Sequence, residues 1–157
     1  MPEVWDAVRG VELCVDPDDL DPFATWGIDS SRPHWLYGDP KILVVDDDSD
    51  TRQLIASMLE RDGLTALEAA DGEVAMTLAL SECPDLVILD VMMPGLDGYT
   101  VCRQLREDLC LHGIPVIMVT GLSGLNDELA CMASGADAYL VKPVSRLELM
   151  ARVRELL

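Results

Sequence analysis

Four short apolar runs, ILVV (42–45), DLVIL (85–89), PVIMV (115–119) and AYLV (138–141), constrain this chain more than any other feature. Each is continuous rather than alternating and rich in β-branched residues, as expected of a strand covered on both faces. LTALEA, near 64–69, reads as a fifth and weaker strand. The segments between them carry apolar residues at helical spacing. TRQLIASMLERDG places Leu54, Ile55, Met58 and Leu59 on one face and closes on Gly63, a natural residue just past a helix end. EVAMTLALSE, YTVCRQLRED, DELACMASG and SRLELMARVRELL repeat the pattern, the third closing on Gly135. Five strands alternating with five helices through short loops imply an α/β fold, a three-layer doubly wound parallel sheet with helices on both faces.

Regular alternation begins only at Pro40. Before it lie all three tryptophans (Trp5, Trp26, Trp35), the single Phe23 and an acidic, turn-rich stretch, VDPDDLDPF, without a sustained period. Residues 1–39 are therefore expected to form an aromatic and acidic extension, and 40–157 the main domain. Two arrangements are open for the extension. It is either a solvated acidic tail, or its rings, with Tyr37 among them, dock on the domain or on a second copy.

The formal net charge is −18, with 29 acidic residues against 11 basic ones. Such a surface repels phosphate backbones and anionic lipid, which argues against direct nucleic-acid or membrane contact and for cations and basic protein patches as partners. No apolar run approaches the roughly 18 residues of a membrane span, and MPEVWDAVRG lacks the pattern of a secretory signal, so a cytoplasmic protein is expected. The five cysteines (Cys14, Cys83, Cys102, Cys110, Cys131) form no C-x-x-C pair and read as reduced, mostly buried residues. His34 and His112 sit in no metal-ligand or base-partner pattern and are expected at the surface.

In a doubly wound sheet ligands sit beyond the carboxyl ends of the strands, so the residues closing each apolar run are the informative ones. They are Asp46 and Asp47 after the first strand, Asp90 after the third, Thr120 after the fourth and Lys142 after the fifth. Two carboxylates about 5 Å apart repel by roughly 3 kcal/mol at an effective dielectric of about 20, so the cluster calls for a compensating cation. Mg²⁺ suits it, because that ion takes oxygen ligands and keeps several waters. Asp46 and Asp47 are adjacent and leave the strand in different directions; one is expected to bind directly and the other through water. Asp48 reads better as the N-cap of a helix starting near Ser49 or Asp50. Asp90, beside a cation and a lysine, can act as a nucleophile toward phosphorus, with Lys142 as a point charge for phosphate oxygens and Thr120 as a hydroxyl donor.

VVDDD, LVILDVMMPGLDG, VIMVTG and YLVKP, in this order, resemble the receiver domain of two-component response regulators. The resemblance implies a flavodoxin-like fold with strand order 2-1-3-4-5. It implies that Asp90 accepts a phosphoryl group from a phosphohistidine on a histidine kinase or phosphotransfer protein, and that Asp46, Asp47 and Asp90 bind Mg²⁺ with the backbone carbonyl of Met92. Thr120 and Lys142 would contact the phosphoryl oxygens. Tyr139 falls at the aromatic switch position, so that Thr120 and Tyr139 together would re-present the face around the fourth helix and fifth strand to a downstream protein target. The Lys142-Pro143 bond is expected to be cis. Met92 and Leu122, at the positions that tune hydrolysis in the family, are apolar, and a long-lived phosphoryl state with at most slow autodephosphorylation is expected rather than an enzyme.

Two rivals differ in kind. A phosphohydrolase with an aspartyl-phosphate intermediate would resemble D-x-D, but Asp90-Val91-Met92 lacks the second carboxylate. A phosphorylation-independent receiver-like docking module would keep the fold and dispense with the chemistry. The segment LELMARVRELL leaves room for a homodimer, since Leu147, Met150 and Leu157 do not obviously share one core face. No effector segment follows it in the sequence, as in a stand-alone regulator or a portion of a larger protein.

Overall fold

The computed structural model describes residues 39–121 and 124–157. The expectations for the extension, with its rings Trp5, Phe23, Trp26, Trp35 and Tyr37, and those for Cys14, His34 and Leu122 lie outside these residues. The chain runs β1 (Lys41–Val45), α1 (Ser49–Arg61), β2 (Thr65–Ala69), α2 (Gly72–Glu82), β3 (Leu86–Asp90), α3 (Gly98–Glu107), β4 (Val116–Thr120), α4 (Leu125–Ala133), β5 (Ala138–Val141) and α5 (Arg146–Leu156). All strand pairs are parallel and the sheet order is β2-β1-β3-β4-β5, the flavodoxin-like order.

The continuous apolar runs are explained by two cores, one on each face. Side chains alternate across a strand, so Leu43, Val45, Val87, Leu89, Val116 and Met118 point to one face, where Ala75 and Ala79 of α2, Val101 and Leu105 of α3 and Cys131 of α4 cover them. Ile42, Val44, Ile88, Ile117 and Val119 point to the other, against Ile55 and Leu59 of α1 and Leu149, Met150 and Val153 of α5. β2, at the sheet edge, is only partly covered, which is why its run read as weak.

The helix ends follow local chemistry. Asp48, Asp71, Asp97 and Ser145 are N-caps whose side chains accept the N–H of Thr51, Val74, Thr100 and Glu148. Gly63 and Gly135 turn the chain at φ 80° and 106°, as their positions predicted. α2 differs, for Cys83 occupies the left-handed position at φ 47° just before Pro84.

Two expectations need adjusting. β3 and β4 run one residue further than their apolar runs, because Asp90 and Thr120 still pair in register with Val119 and Val141. Cys102 and Cys131 are buried, but Cys83 and Cys110 are exposed, since they sit at a helix end and in a loop. In α5 the apolar residues do split: Met150 is buried, Leu157 half-buried and Leu147 84% exposed. His112 is exposed as expected.

At the amino end of the sheet, Arg106 of α3 braces the connections around β4. Its guanidinium donates to the carbonyls of Gly135 (2.8 Å), His112 (2.9 Å) and Ile114 (2.6 Å) and to Asp137 Oδ2 (2.7 Å). Asp137 Oδ2 also accepts the N–H of Val116, so one ion pair fixes where β4 begins.

Candidate functional site

Parallel pairing aligns the carboxyl ends of β1, β3, β4 and β5, and the residues that close them meet there. The Asp46 N–H donates to the Ala69 carbonyl (3.1 Å), which carries the β1–β2 pairing one residue past β1. The residue is 1% exposed; its Oδ1 accepts the Asp48 N–H (2.9 Å) and its Oδ2 accepts a hydrogen bond from Lys142 Nζ (2.9 Å). Lys142 Nζ also lies 3.4 Å from Asp90 Oδ1, to which the Met92 N–H donates at 3.4 Å. One ammonium thus bridges two buried carboxylates from different strands. Asp47 is exposed beside them, and an oxygen from each of Asp46, Asp47 and Asp90 lies within 4.8 Å of the others.

The electrostatics follow from this crowding. Burial, and then the neighbouring charge of Asp46, push the Asp90 carboxyl up to about 6, against the pull of Lys142. For Lys142 burial acts against the ammonium, but the hydrogen bond to Asp46 and the charges of Asp90 and Asp46 outweigh it and hold its pKa above the ordinary value. Asp48 turns away: the Thr51 hydroxyl holds its carboxyl below the usual range, in keeping with its capping role.

The remaining predicted residues are placed on the same edge. Thr120 is fully buried, and its carbonyl accepts the Lys142 N–H at 2.7 Å. The Lys142-Pro143 bond is cis. Met92 sits in the β3–α3 loop with its side chain 62% exposed. Tyr139 lies two residues along β5 from the strand end, paired in register with Met118 and half-buried against the α2–α3–α4 core.

Two contributors escaped the sequence. Arg52 of α1 donates to the Asp46 carbonyl (2.8 Å) and to Glu68 Oε1 (3.2 Å), which fixes the backbone at the start of the acidic loop. Nothing in its local pattern separates it from a solvent-facing helical arginine. Gly98 is packed so closely that a Cβ there would fall 2.3 Å from the Asp90 carbonyl oxygen and 2.8 Å from Val91 Cα. LDGYT shows only that a glycine occupies the first helical position after the capping Asp97, not what it packs against.

The arrangement offers a partly desolvated carboxylate, a fixed ammonium and three convergent oxygen donors. That donor set fits a hard divalent cation, since all its atoms are carboxylate oxygens and one of them is open to solvent. The chemistry it supports is attack of a carboxylate on an electrophile carrying negative charge.

Comparison with known proteins agrees. Residues 42–154 match the family model described as "Response regulator receiver domain". The chain is 49% identical over 117 residues to "Probable transcriptional regulator ycf27" of Cyanophora paradoxa, covering 74% of this chain and 48% of that protein. It is 42% identical over 116 residues to "Response regulator PleD" of Caulobacter vibrioides, covering 74% of this chain and 26% of that one. The chain therefore spans half the length, or less, of these relatives. Among solved structures, the chemotaxis protein CheY4 of Vibrio cholerae superposes with a TM-score of 0.72 at 29% identity, covering 76% of this chain and 99% of that one. With the fold order, the acidic pocket and the family match in agreement, the chain belongs to the response regulator receiver domain family.

Proposed function

We propose that residues 40–157 act as a receiver in two-component phosphorelay signalling, with Asp90 as the phosphoacceptor and residues 1–39 as an extension to it. The observation that carries this reading is Lys142 Nζ held between Asp46 Oδ2 at 2.9 Å and Asp90 Oδ1 at 3.4 Å. An Asp90 oxygen attacks the phosphorus of a phosphohistidine on a kinase or phosphotransfer protein. The P–O bond forms as the P–N bond breaks, and the ring, already protonated on its other nitrogen, leaves as neutral imidazole. Lys142 moves its ammonium toward the new phosphoryl oxygens, and Thr120 donates its hydroxyl to another. Mg²⁺, when bound, screens the charge that gathers between the carboxylates and the phosphoryl group. Asp47, which is exposed, and Asp90 would hold the ion directly, together with the Met92 carbonyl. Asp46, both of whose oxygens already have partners, would hold it through water.

The readout is the Thr120 and Tyr139 pair and the surface around α4 and β5, presented to a downstream protein. A change in population from 1:99 to 99:1 needs about 5.5 kcal/mol of differential stabilisation, within reach of several charge-assisted bonds. The expectation of no nucleic-acid contact is confined to the receiver itself. Among the described residues no helix is long and apolar enough to cross a membrane.

The test is phosphorylation by a small acyl phosphate and by phosphohistidine donors. Wild type should acquire one acid-labile phosphate with Mg²⁺ and none with chelator, and Asp90→Asn should acquire none. A fully modified Asp90→Asn would refute the acceptor assignment. Wild type that resists every donor yet keeps its partner would leave the phosphorylation-independent docking module.

A further inference from the structure

At the amino end of the sheet, opposite the acidic pocket, the surface carries an open hollow of about 540 Å³. Pro40, Gly63, Leu64 and Leu157 give it apolar walls, and Asp39, Asp62 and Arg154 give it a charged rim. Leu64 and Leu157 are both only half-buried. Arg154 meets Asp62 at 3.5 Å while its side chain stays 72% exposed, so one face of the guanidinium is open. Asp62 is already held by Arg146 at 2.6 Å and does not depend on Arg154.

The chain enters the domain at this hollow. Pro40 lines it and is pinned, because its carbonyl accepts the Thr65 N–H at 2.8 Å, and the next residue, Lys41, donates its N–H to Asp85 Oδ2 at 2.8 Å. The five residues before Asp39 read HWLYG. In an extended segment Trp35 and Tyr37 share one face, with Leu36 on the other. Gly38 between Tyr37 and Asp39 permits the reversal that would lay that face back along the domain. A ring tethered a few residues from a fixed exit point has a high effective concentration at a site beside it.

We propose that this hollow is the seat of the Trp35 and Tyr37 rings of the same chain. Their faces pack on Pro40, Leu64 and Leu157, and the Arg154 guanidinium stacks on one ring as a cation over its π face. The two rings would thereby be held at the edge of the sheet farthest from Asp90.

The test uses the full chain with Trp5→Phe and Trp26→Phe, so that Trp35 is the sole tryptophan. Its emission should be blue-shifted and its acrylamide quenching constant severalfold below that of a free tryptophan analogue, at every protein concentration. Arg154→Ser and Leu157→Ser, both at partly exposed positions, should each move emission and quenching toward the free values while the far-ultraviolet circular dichroism stays that of wild type. Emission and quenching like the free analogue, or protection that ignores both hollow substitutions, would overturn the proposal. So would protection that appears only as concentration rises, because the seat would then be filled by a second copy.

Discussion

Asp90 is a buried carboxylate with a repelling neighbour, and its pKa of about 6 against an ordinary 3.8 means that the folded chain binds its proton more tightly than the unfolded one. The sign follows from linkage: stability is lost as pH rises from about 4 through about 6, and the full cost, on the order of 3 kcal/mol, stands at neutral pH. Asp90→Asn removes the charge and keeps the shape. In chelator at pH 7 it should unfold at higher urea than wild type, by up to about 3 kcal/mol, and the gap should close below about pH 4. Equal midpoints at pH 7 would show that Lys142 already balances the charge. At Cys83 the left-handed backbone carries a side chain where a helix end favours glycine. Cys83→Gly should therefore stabilise by about 1 kcal/mol in the same assay, without effect on phosphorylation.

At the scale of elements, the β3–α3 connection shows what the sequence could and could not reveal. The apolar run announced that Asp90 closes a strand, and YTVCRQLRED announced the next helix. The close approach of Gly98 to the Asp90 backbone did not appear, because it depends on how α3 returns across the strand end. Gly98→Ala forces that contact apart. It should cost about 2 kcal/mol or more and slow phosphorylation of Asp90 beyond what the lost stability explains. Phosphorylation at the wild-type rate would show that the loop absorbs the methyl without moving the carboxylate. Asp46, Asp47, Asp90, Thr120 and Lys142 were all legible, since strand ends in a parallel sheet share an edge. Arg52 and Arg106 were not, because their acceptors, mostly main-chain carbonyls, lie at least six residues away, which no local pattern encodes.

Over the whole molecule the two edges of the sheet do different work. The carboxyl edge carries the acidic pocket, and the amino edge carries the Arg106–Asp137 brace and the hollow beside Pro40. Arg106→Met should cost roughly 2–4 kcal/mol, because three carbonyls lose the guanidinium donor and Asp137 loses its ion pair while keeping the Val116 N–H. Yet folded protein should still be phosphorylated at Asp90 as readily as wild type, and a parallel loss of phosphorylation would show that the edges are coupled. The ammonium that bridges Asp46 and Asp90 has a different reach: 96 residues separate Lys142 from Asp46 in the chain. During synthesis every carboxylate of the pocket leaves the ribosome before the one cation that balances two of them. A nascent chain that ends within β5 holds the acid cluster without its counter-charge, so the phosphoryl acceptance proposed for Asp90 would be a property of the finished domain alone.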